Sequence, residues 1–497
     1  MLATEKKTIL KELTEALGSE YISSDPAILI CYSRDQSPKP AKNPTFVVLP
    51  GSTEDVQAVV KIANKFKIPV IPRTTGVNVA GLCIPSSEGG LLIDLKRMDR
   101  IIDIDERNMT ATIEPGVLMA QLQAEAYKRE LKIIVPSAPG SVSVMANYIG
   151  TRGTSIASVK YGVGDNHIVG LEWILPDGNL LELGSCVYQN GWQTGCTGNS
   201  PGPDLLGLFL EASGGLGICT KAKVKLYPKP EIRNSYIVLY NEPDQVLEAL
   251  NRIQKTGIAS SGYVHMPATY AAHFFTLNNE TASQVMNLLP PYTILAFFEG
   301  TKRQVEYEEQ VFNKIVEETK GTYLNLAEIV EMFGGAEMGI DPKPAETGIV
   351  RQADYMTITV RIMRPKGAFG ITVYLHDIEN SFKIFDKFEE ICKKFGYEDL
   401  TTYYIQPIDD YHYAFIEMDI IYDHGQATDR KLAEKILLEV NRAFTIDGEG
   451  LNYYETVCGS AGEIIGPELG SYYKILKKFK KIIDPNNIMN PGVYLPK

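Results

Sequence analysis

Residues 71–78 read IPRTTGVN and directly follow a short β-branched run. Gly76 frees the backbone for positive φ, the hydroxyls of Thr74 and Thr75 and successive N–H groups can converge on phosphate oxygens, and Arg73 adds charge. That is the chemistry of a pyrophosphate cradle, although a Thr-Gly-x-Asn turn also serves as a plain polar connection after a strand. It is neither a Walker loop nor a Rossmann fingerprint, because GxxxxGK-Ser/Thr is absent and no GxGxxG follows an early strand. A second tract, VPSAPGSVSVMANYIGTRGT at 135–154, strings small residues together and leaves little side chain between the backbone and whatever lies against it. A flat, polar ligand fits that description.

Other chemistries are excluded. The seven cysteines include no CxxC, which argues against a disulfide framework, a zinc ribbon, an Fe–S cluster or a CxxCH haem site. The balance of 49 Lys+Arg against 61 Asp+Glu leaves a charge of -12, so nucleic acid is not an expected partner. Tyrosine is abundant, 27 against 17 Phe and 2 Trp, with doublets at 403–404, 453–454 and 472–473. Its flat apolar body and polar tip suit a cavity for a ring-shaped ligand, and they equally suit half-buried strands.

The elements that must position these residues follow from periodicity. Residues 45–50 and 68–72 are β-branched runs bounded by proline. Between them STEDVQAVVKIANKFK has a Ser52/Thr53 start, an acidic first turn and apolar 3.6 spacing, which predicts a β-α-β unit. Strands are expected at 90–95, 100–105 and 110–116, a helix at 117–131, a hairpin through PDG within 167–184, and a last strand at 221–230. Beyond about residue 231, helical patterns at 243–257 and 381–396 alternate with strands such as AFGITVYL at 368–375, as in a second α+β lobe. The basic amphipathic helix near the C-terminus reads as a solvated face. The first residues, MLATEKKTILKELTEALG, lack an apolar core and no stretch reaches ~18 apolar residues, so a soluble, cytoplasmic protein is expected.

Four segments in order, PTFVVLPGSTEDVQAVVKIANKFKIPVIPRTTGVN, YGVGDNHIVGLEWILPDG, GPDLLGLFLEASGGLGICTKAKVKLYPKP and KKFKKIIDPNNIMNPG, resemble the vanillyl-alcohol-oxidase/p-cresol-methylhydroxylase flavoprotein superfamily. Together they cover nearly the whole chain. The stretch IQPIDDYHYAFIEMDIIYD at 405–423 is similar to the 4-cresol dehydrogenase branch more than to the glycolate or lactate branch. The resemblance implies an α+β chain. Residues 1–230 form a two-subdomain PCMH-type FAD-binding domain, 231–444 an inserted substrate domain with an antiparallel sheet and helices, and 445–497 return to the FAD domain.

It also implies a cofactor, FAD, and its contacts. Pro72, Arg73, Thr74, Thr75, Gly76, Val77 and Asn78 would wrap the pyrophosphate. Pro136, Ser137, Gly140, Ser141, Ser143, Ala146, Asn147 and Gly153 would line the flavin and ribityl chain. Gly217 and Ile218 would touch the adenine side, and Asn490 would lie near the flavin. Relatives that tether FAD use a His in the first loop, absent here, or a His or Tyr before a strand of the second lobe, where this chain has Gly370; non-covalent FAD is expected. Of the family's phenolate clamp only Tyr454 survives, since its arginine falls on Glu455 and its loop tyrosine near Ala80; the vanillyl-type base falls at about Ser137. The paired-histidine metal pattern of the glycolate/lactate branch is missing, so no metal is expected.

The resemblance thus implies hydride transfer from a small alcohol, aromatic or hydroxybenzyl-like, to flavin, which needs a base for the departing proton. His376, His412 and the pair Tyr454/Glu455 are the candidates, with Tyr161 as a positioning phenol. Each histidine also suits a hydrogen-bonded structural role, and Arg361 and Arg364 suit either an anion contact or the surface. Electrons would leave to oxygen or to a separate redox protein. The competing readings are a 2-hydroxy-acid dehydrogenase and a non-redox or electron-relay flavoprotein. A homodimer is the ordinary default.

Overall fold

The computed structural model describes residues 3–195, 198, 201–259, 262–267, 289–324, 366–397, 401–445, 452–453 and 466–493. The chain opens with α1 (Ala3–Leu17), β1 (Ile22–Ser23), β2 (Phe46–Val48), α2 (Thr53–Phe66), β3 (Val70–Arg73) and β4 (Leu91–Asp94). These strands form one sheet in the order β1-β2-β4-β3, with β2, β4 and β3 parallel. The helix starts where Ser52 Oγ accepts the Asp55 amide at 3.2 Å, and it ends at Lys67, which takes a left-handed turn with φ 54°. Val56, Val59, Val60 and Ala63 form its buried stripe, packed with Ile9 and Leu13 of α1. The unit therefore stands where the apolar spacing places it.

A second sheet follows from β5 (Ile101–Asp105), β6 (Thr110–Ile113), β8 (Ile168–Ile174), β9 (Leu180–Gly184) and β10 (Ile218–Lys225). Between β6 and β8 come α3 (Met119–Tyr127) and β7 (Leu131–Lys132), the latter paired with β11 (Tyr227–Pro228). The sheet order is β5-β6-β10-β8-β9, all antiparallel. The PDG turn closes β8 onto β9, with the Leu175 amide bonded to Asn179 O at 2.9 Å.

The other lobe is built on β12 (Ile232–Tyr240), α4 (Pro243–Thr256), β13 (Tyr263–Pro267), β14 (Tyr292–Gly300), α5 (Lys302–Glu318), β15 (Thr322–Tyr323), β16 (Gly367–His376), α6 (Ser381–Lys394), β17 (Thr401–Ile408), β18 (Tyr413–Asp423), α7 (Ala427–Thr445) and β19 (Asn452–Tyr453). One eight-stranded sheet runs β15-β12-β14-β13-β17-β18-β16-β19. Its helices cover one face, where Tyr403, Ile405, Ile416, Met418 and Ile420 are buried with Phe388, Ile391, Leu437 and Val440. Side chains alternate along a strand. Thr402, Tyr404, Gln406, Phe415, Glu417 and Asp419 therefore point the other way, toward the first lobe.

Few polar contacts cross between the lobes. Gln406 Nε2 donates to Ser155 O at 3.0 Å, Tyr422 OH to Gln36 O at 2.6 Å, and the Asp410 amide to Val159 O at 2.9 Å. Glu299 of β14 bonds Lys132 of β7 and, at 2.8 Å, Arg233 of β12, with the carboxylate and both cations at or near full burial. Burial alone would push Glu299 up, but the two cations outweigh it and hold the carboxyl below its ordinary range. After the second lobe, α8 (Gly470–Ile483) brings the chain back, and Met489 pairs with Val70 in a parallel bridge.

Lys132→Met leaves Glu299 facing a single cation in a dry interface. The substitution should lower the unfolding free energy by about 2 kcal/mol, read from urea titration, the expected loss of a charged hydrogen bond while Arg233 still answers the carboxylate.

Candidate active site

A groove runs between the loop after β3, the small-residue tract and the helix-free face of the large sheet. Its two halves enclose about 1090 and 720 Å³, mouths included, and share Thr74, Asn78, Cys83, Ala146 and Thr151. This is room for a cofactor-sized ligand. Thr74, Thr75, Gly76, Val77, Asn78, Pro136, Ser137, Ser143, Ala146, Asn147 and Gly153 line the half under the sheet, and Pro72, Arg73, Gly217 and Ile218 line the other. Gly140 and Ser141 stand outside: Gly140 O accepts the Ala120 amide at 2.9 Å, and Ser141 is exposed. Asn490 lies behind the groove, where its Nδ2 holds Ser213 O at 2.8 Å and Leu82 O at 3.1 Å.

The loop's shape comes from its own residues. Asn78 Oδ1 accepts the amides of Ala80 (3.0 Å) and Leu82 (3.1 Å), and Gly76 takes φ 72°. A Cβ on Gly76 would lie 2.1 Å from Arg73 Nη2, so only glycine lets the guanidinium fold back across the loop. Arg73 stacks 4.9 Å from the Tyr32 ring centroid, yet its Nη1 is buried without a partner. Ser137 Oγ and Asn147 Oδ1 along the groove are likewise buried and unpartnered, and Gly153 gives Asn147 its space, since a Cβ there would meet Oδ1 at 1.8 Å. Buried polar groups ordinarily find partners. A cation at one end and a hydroxyl and amide toward the other match the diphosphate and the polyol and ring of FAD.

The wall over the groove is supplied by Phe369, Ile371, Tyr404, Phe415 and Glu417. Register across β17 and β18 sets Tyr404 opposite Glu417 and Thr402 opposite Asp419. Tyr404 OH donates to Glu417 Oε2 at 2.9 Å, and its ring lies 5.7 Å from that of Phe415. The Asp419 oxygens receive no N–H or O–H donor, and both carboxyls are buried. Desolvation pushes Glu417 up, and desolvation together with the charge of Glu417 pushes Asp419 well up. Two such groups resist ionising together in a dry site, so the pair holds protons more firmly than free carboxyls do. Among the described residues, no Lys or Arg lines this half.

The groups proposed from sequence as bases are not gathered here. His376 ends β16 beside Asp377, 2.9 Å away, and His412 sits in the turn between β17 and β18 with Nδ1 2.8 Å from Asp409 O. Strand alternation and the sheet edge carry both away from the groove. Tyr161 packs edge-on to Tyr227 at 4.6 Å in a separate cavity, its phenol pushed up to about 12 by burial. Tyr454, Glu455, Arg361 and Arg364 lie outside the described residues. Glu417 and Asp419 were not singled out from sequence, and Tyr404 only as half of the 403–404 doublet. Their signal was two acids, two residues apart, in an otherwise apolar strand pattern.

Residues 44–184 match the family described as FAD binding domain, and 466–494 the FAD linked oxidases, C-terminal domain. The chain is 30% identical to the glycolate oxidase subunit GlcD of Bacillus subtilis over 50% of this chain and 50% of that protein. It is 22% identical to the 4-cresol dehydrogenase [hydroxylating] flavoprotein subunit of Pseudomonas putida, over 96% of this chain and 93% of that one. The chain thus spans about half the length of the first of these relatives and nearly all of the second. The 4-ethylphenol oxidase structure from Gulosibacter chungangensis superposes with a TM-score of 0.82 at 21% identity, over 100% of this chain and 98% of that one. The fold, the groove and these matches define an FAD-binding protein with a second, sheet-bearing lobe over its cofactor. Residues 44–184 thus carry an FAD-binding domain and 466–494 the C-terminal domain of FAD linked oxidases, and the chain shares the fold of the 4-ethylphenol oxidase structure.

Removing the charge of Arg73, in the half of the groove away from the large sheet, tests the cofactor assignment. Arg73→Ala should raise the FAD dissociation constant by about tenfold or more, the expected loss for a charged hydrogen bond, with the far-UV spectrum unchanged.

Proposed function

We propose that the protein oxidises a small neutral alcohol, aromatic or hydroxybenzyl-like, at the wall formed by Tyr404, Phe415 and Glu417. Bound FAD supplies the two-electron acceptor for the hydride leaving the substrate carbon. Glu417 takes the hydroxyl proton: it faces the groove, receives Tyr404 OH on one oxygen, and on taking the proton becomes the neutral acid that its burial favours. Tyr404 and Phe415 hold an aromatic ring by its face and edge, and the sheet keeps water from the reacting carbon. An external acceptor, oxygen or a separate redox protein, completes turnover.

The observation that carries this reading is the buried carboxyl pair on the cofactor-facing side of the sheet. Among the described residues no cation lines that half to answer a carboxylate, which favours a neutral substrate. The match to a glycolate oxidase subunit supports the second reading, a 2-hydroxy acid. FAD is held without a covalent bond: position 370 on β16 is glycine, and Tyr374 turns to the opposite face, where its OH bonds Asn441 Oδ1 at 2.7 Å.

Anaerobic bleaching of the yellow protein distinguishes the substrates, with reduction expected by hydroxybenzyl alcohols and not by glycolate or lactate. Flavin should appear in the supernatant after acid precipitation. Glu417→Gln should lower kcat by roughly 10²–10⁴-fold, the range of a lost general base.

The same pair affects stability. Its carboxyls titrate higher folded than unfolded, so the folded chain binds more protons above the unfolded value of about 4.3. Stability is full below that pH and falls as pH rises through the raised folded values. Thermal melts from pH 5 to 8 should show this decline in the parent protein and a flatter profile in Glu417→Gln.

A further inference from the structure

Helix α8 has the sequence GSYYKILKKFKKII, with no acidic residue in it. Its apolar stripe runs past its docked face: Phe479 packs on Phe209 with ring centroids 6.2 Å apart, while the residues flanking it on the stripe stay outside. Lys480 points inward, bonding Asp484 at 2.6 Å and Met489 O at 2.9 Å, while Tyr472, Ile475 and Ile482 are 62%, 62% and 76% exposed. At 100° per residue these three occupy one arc of the helix, and the exposed Lys474, Lys478 and Lys481 form the next. Leu205 and Leu208 are also exposed, and Leu208 shares a cavity wall with Tyr472, extending the apolar patch beyond the helix. A chain of net charge -12 thus presents one local surface that is both basic and apolar.

We propose that this face docks on an anionic lipid bilayer, with Tyr472, Ile475 and Ile482 entering the interface and Lys474, Lys478 and Lys481 meeting the headgroups. Ile and Tyr beside a lysine row along one helix is the pattern of an interfacial helix, and lysines near an anionic surface add to its binding. A second copy of the chain is disfavoured, because a two-fold contact would set the lysine rows against each other. A protein partner needs a larger matched surface than this narrow strip offers. The helix lies directly behind the cofactor groove: Lys480 also bonds Gly215 O, beside the Ser213 and Gly214 that line it. Docking therefore brings the groove close to the membrane plane.

The test uses the full chain with FAD bound and sucrose-loaded vesicles of phosphatidylglycerol and phosphatidylcholine, with phosphatidylcholine alone as reference. The protein should pellet with the anionic vesicles at least about tenfold better than with the neutral ones, and lose that binding in high salt. Ile475→Gln/Ile482→Gln and, separately, Lys474→Gln/Lys478→Gln should each weaken partition about tenfold or more while melting temperature and flavin spectrum stay unchanged. The proposal is overturned if the protein remains in the supernatant with anionic vesicles, or if both double variants pellet like the parent. Binding of an acidic soluble protein at this face, with none to vesicles, overturns it too.

Discussion

Glu299 sits where the two lobes meet, and its charge has to be answered there. Arg233 answers it from the next strand of the large sheet, and Lys132 adds a second cation from the cofactor-binding lobe, a contact made only when the lobes stand in one relative position. A buried ion pair adds little to stability over an apolar substitute, but an unanswered buried charge is costly. That asymmetry gives the contact its use as a register mark. A site assembled between two separately built lobes tolerates errors of only about half an ångström. Gln406 on Ser155 and Tyr422 on Gln36 fix the rest of the seam.

With the seam fixed, the large sheet works as a two-sided plate. One face is packed by α6 and α7; the other is roofed by the cofactor lobe, so both faces are withdrawn from water and polar residues on either must find partners. On the helix side the solution is ordinary: His265 bonds Thr293 O and Tyr403 OH, and burial lowers its imidazole to about 4, which keeps it neutral. On the groove side Glu417 and Asp419 meet their desolvation by holding protons more firmly than free carboxyls. The burial that favours the protonated form in a dry wall also makes the pair a chemical group.

The cofactor loop was legible in the sequence because its form is set locally, by Gly76, Asn78 and the residues between them. The β-α-β unit, the PDG hairpin and the long helices were legible for the same reason. The wall was not. Alternation marks which residues share a strand face, but it cannot say that both faces are covered, and Glu417 and Asp419 read like the solvent side of an edge. The tyrosine doublets carried half the signal: a doublet in a strand is split by the pleat, so Tyr403 joins the helix side and Tyr404 reaches the groove, while Tyr472 faces solvent. Histidines drew attention as bases, yet His167 and His265 are buried structural groups and His376 and His412 sit at strand ends. Carboxyls raised by burial leave no mark in a linear pattern. The basic helix near the C-terminus read as a solvated face, which accounts for its lysines and leaves Tyr472, Ile475 and Ile482 unexplained.

The clasp that returns the chain to the cofactor lobe bears on the timing of assembly. Asp484 receives the amides of Ile488 and Met489 as well as the Lys480 ammonium, and the shaped turn then bridges to Val70, while Asn490 pins the Ser213 carbonyl. The β-α-β unit can form from its own short-range contacts, but β3 gains this neighbour only from a segment about four hundred residues further along. Closing so long a loop is slow beside local folding. The nucleotide end of the groove is therefore completed late, after the intervening sheet lobe has been synthesised, so cofactor capture reports on a nearly finished chain instead of on the first lobe alone.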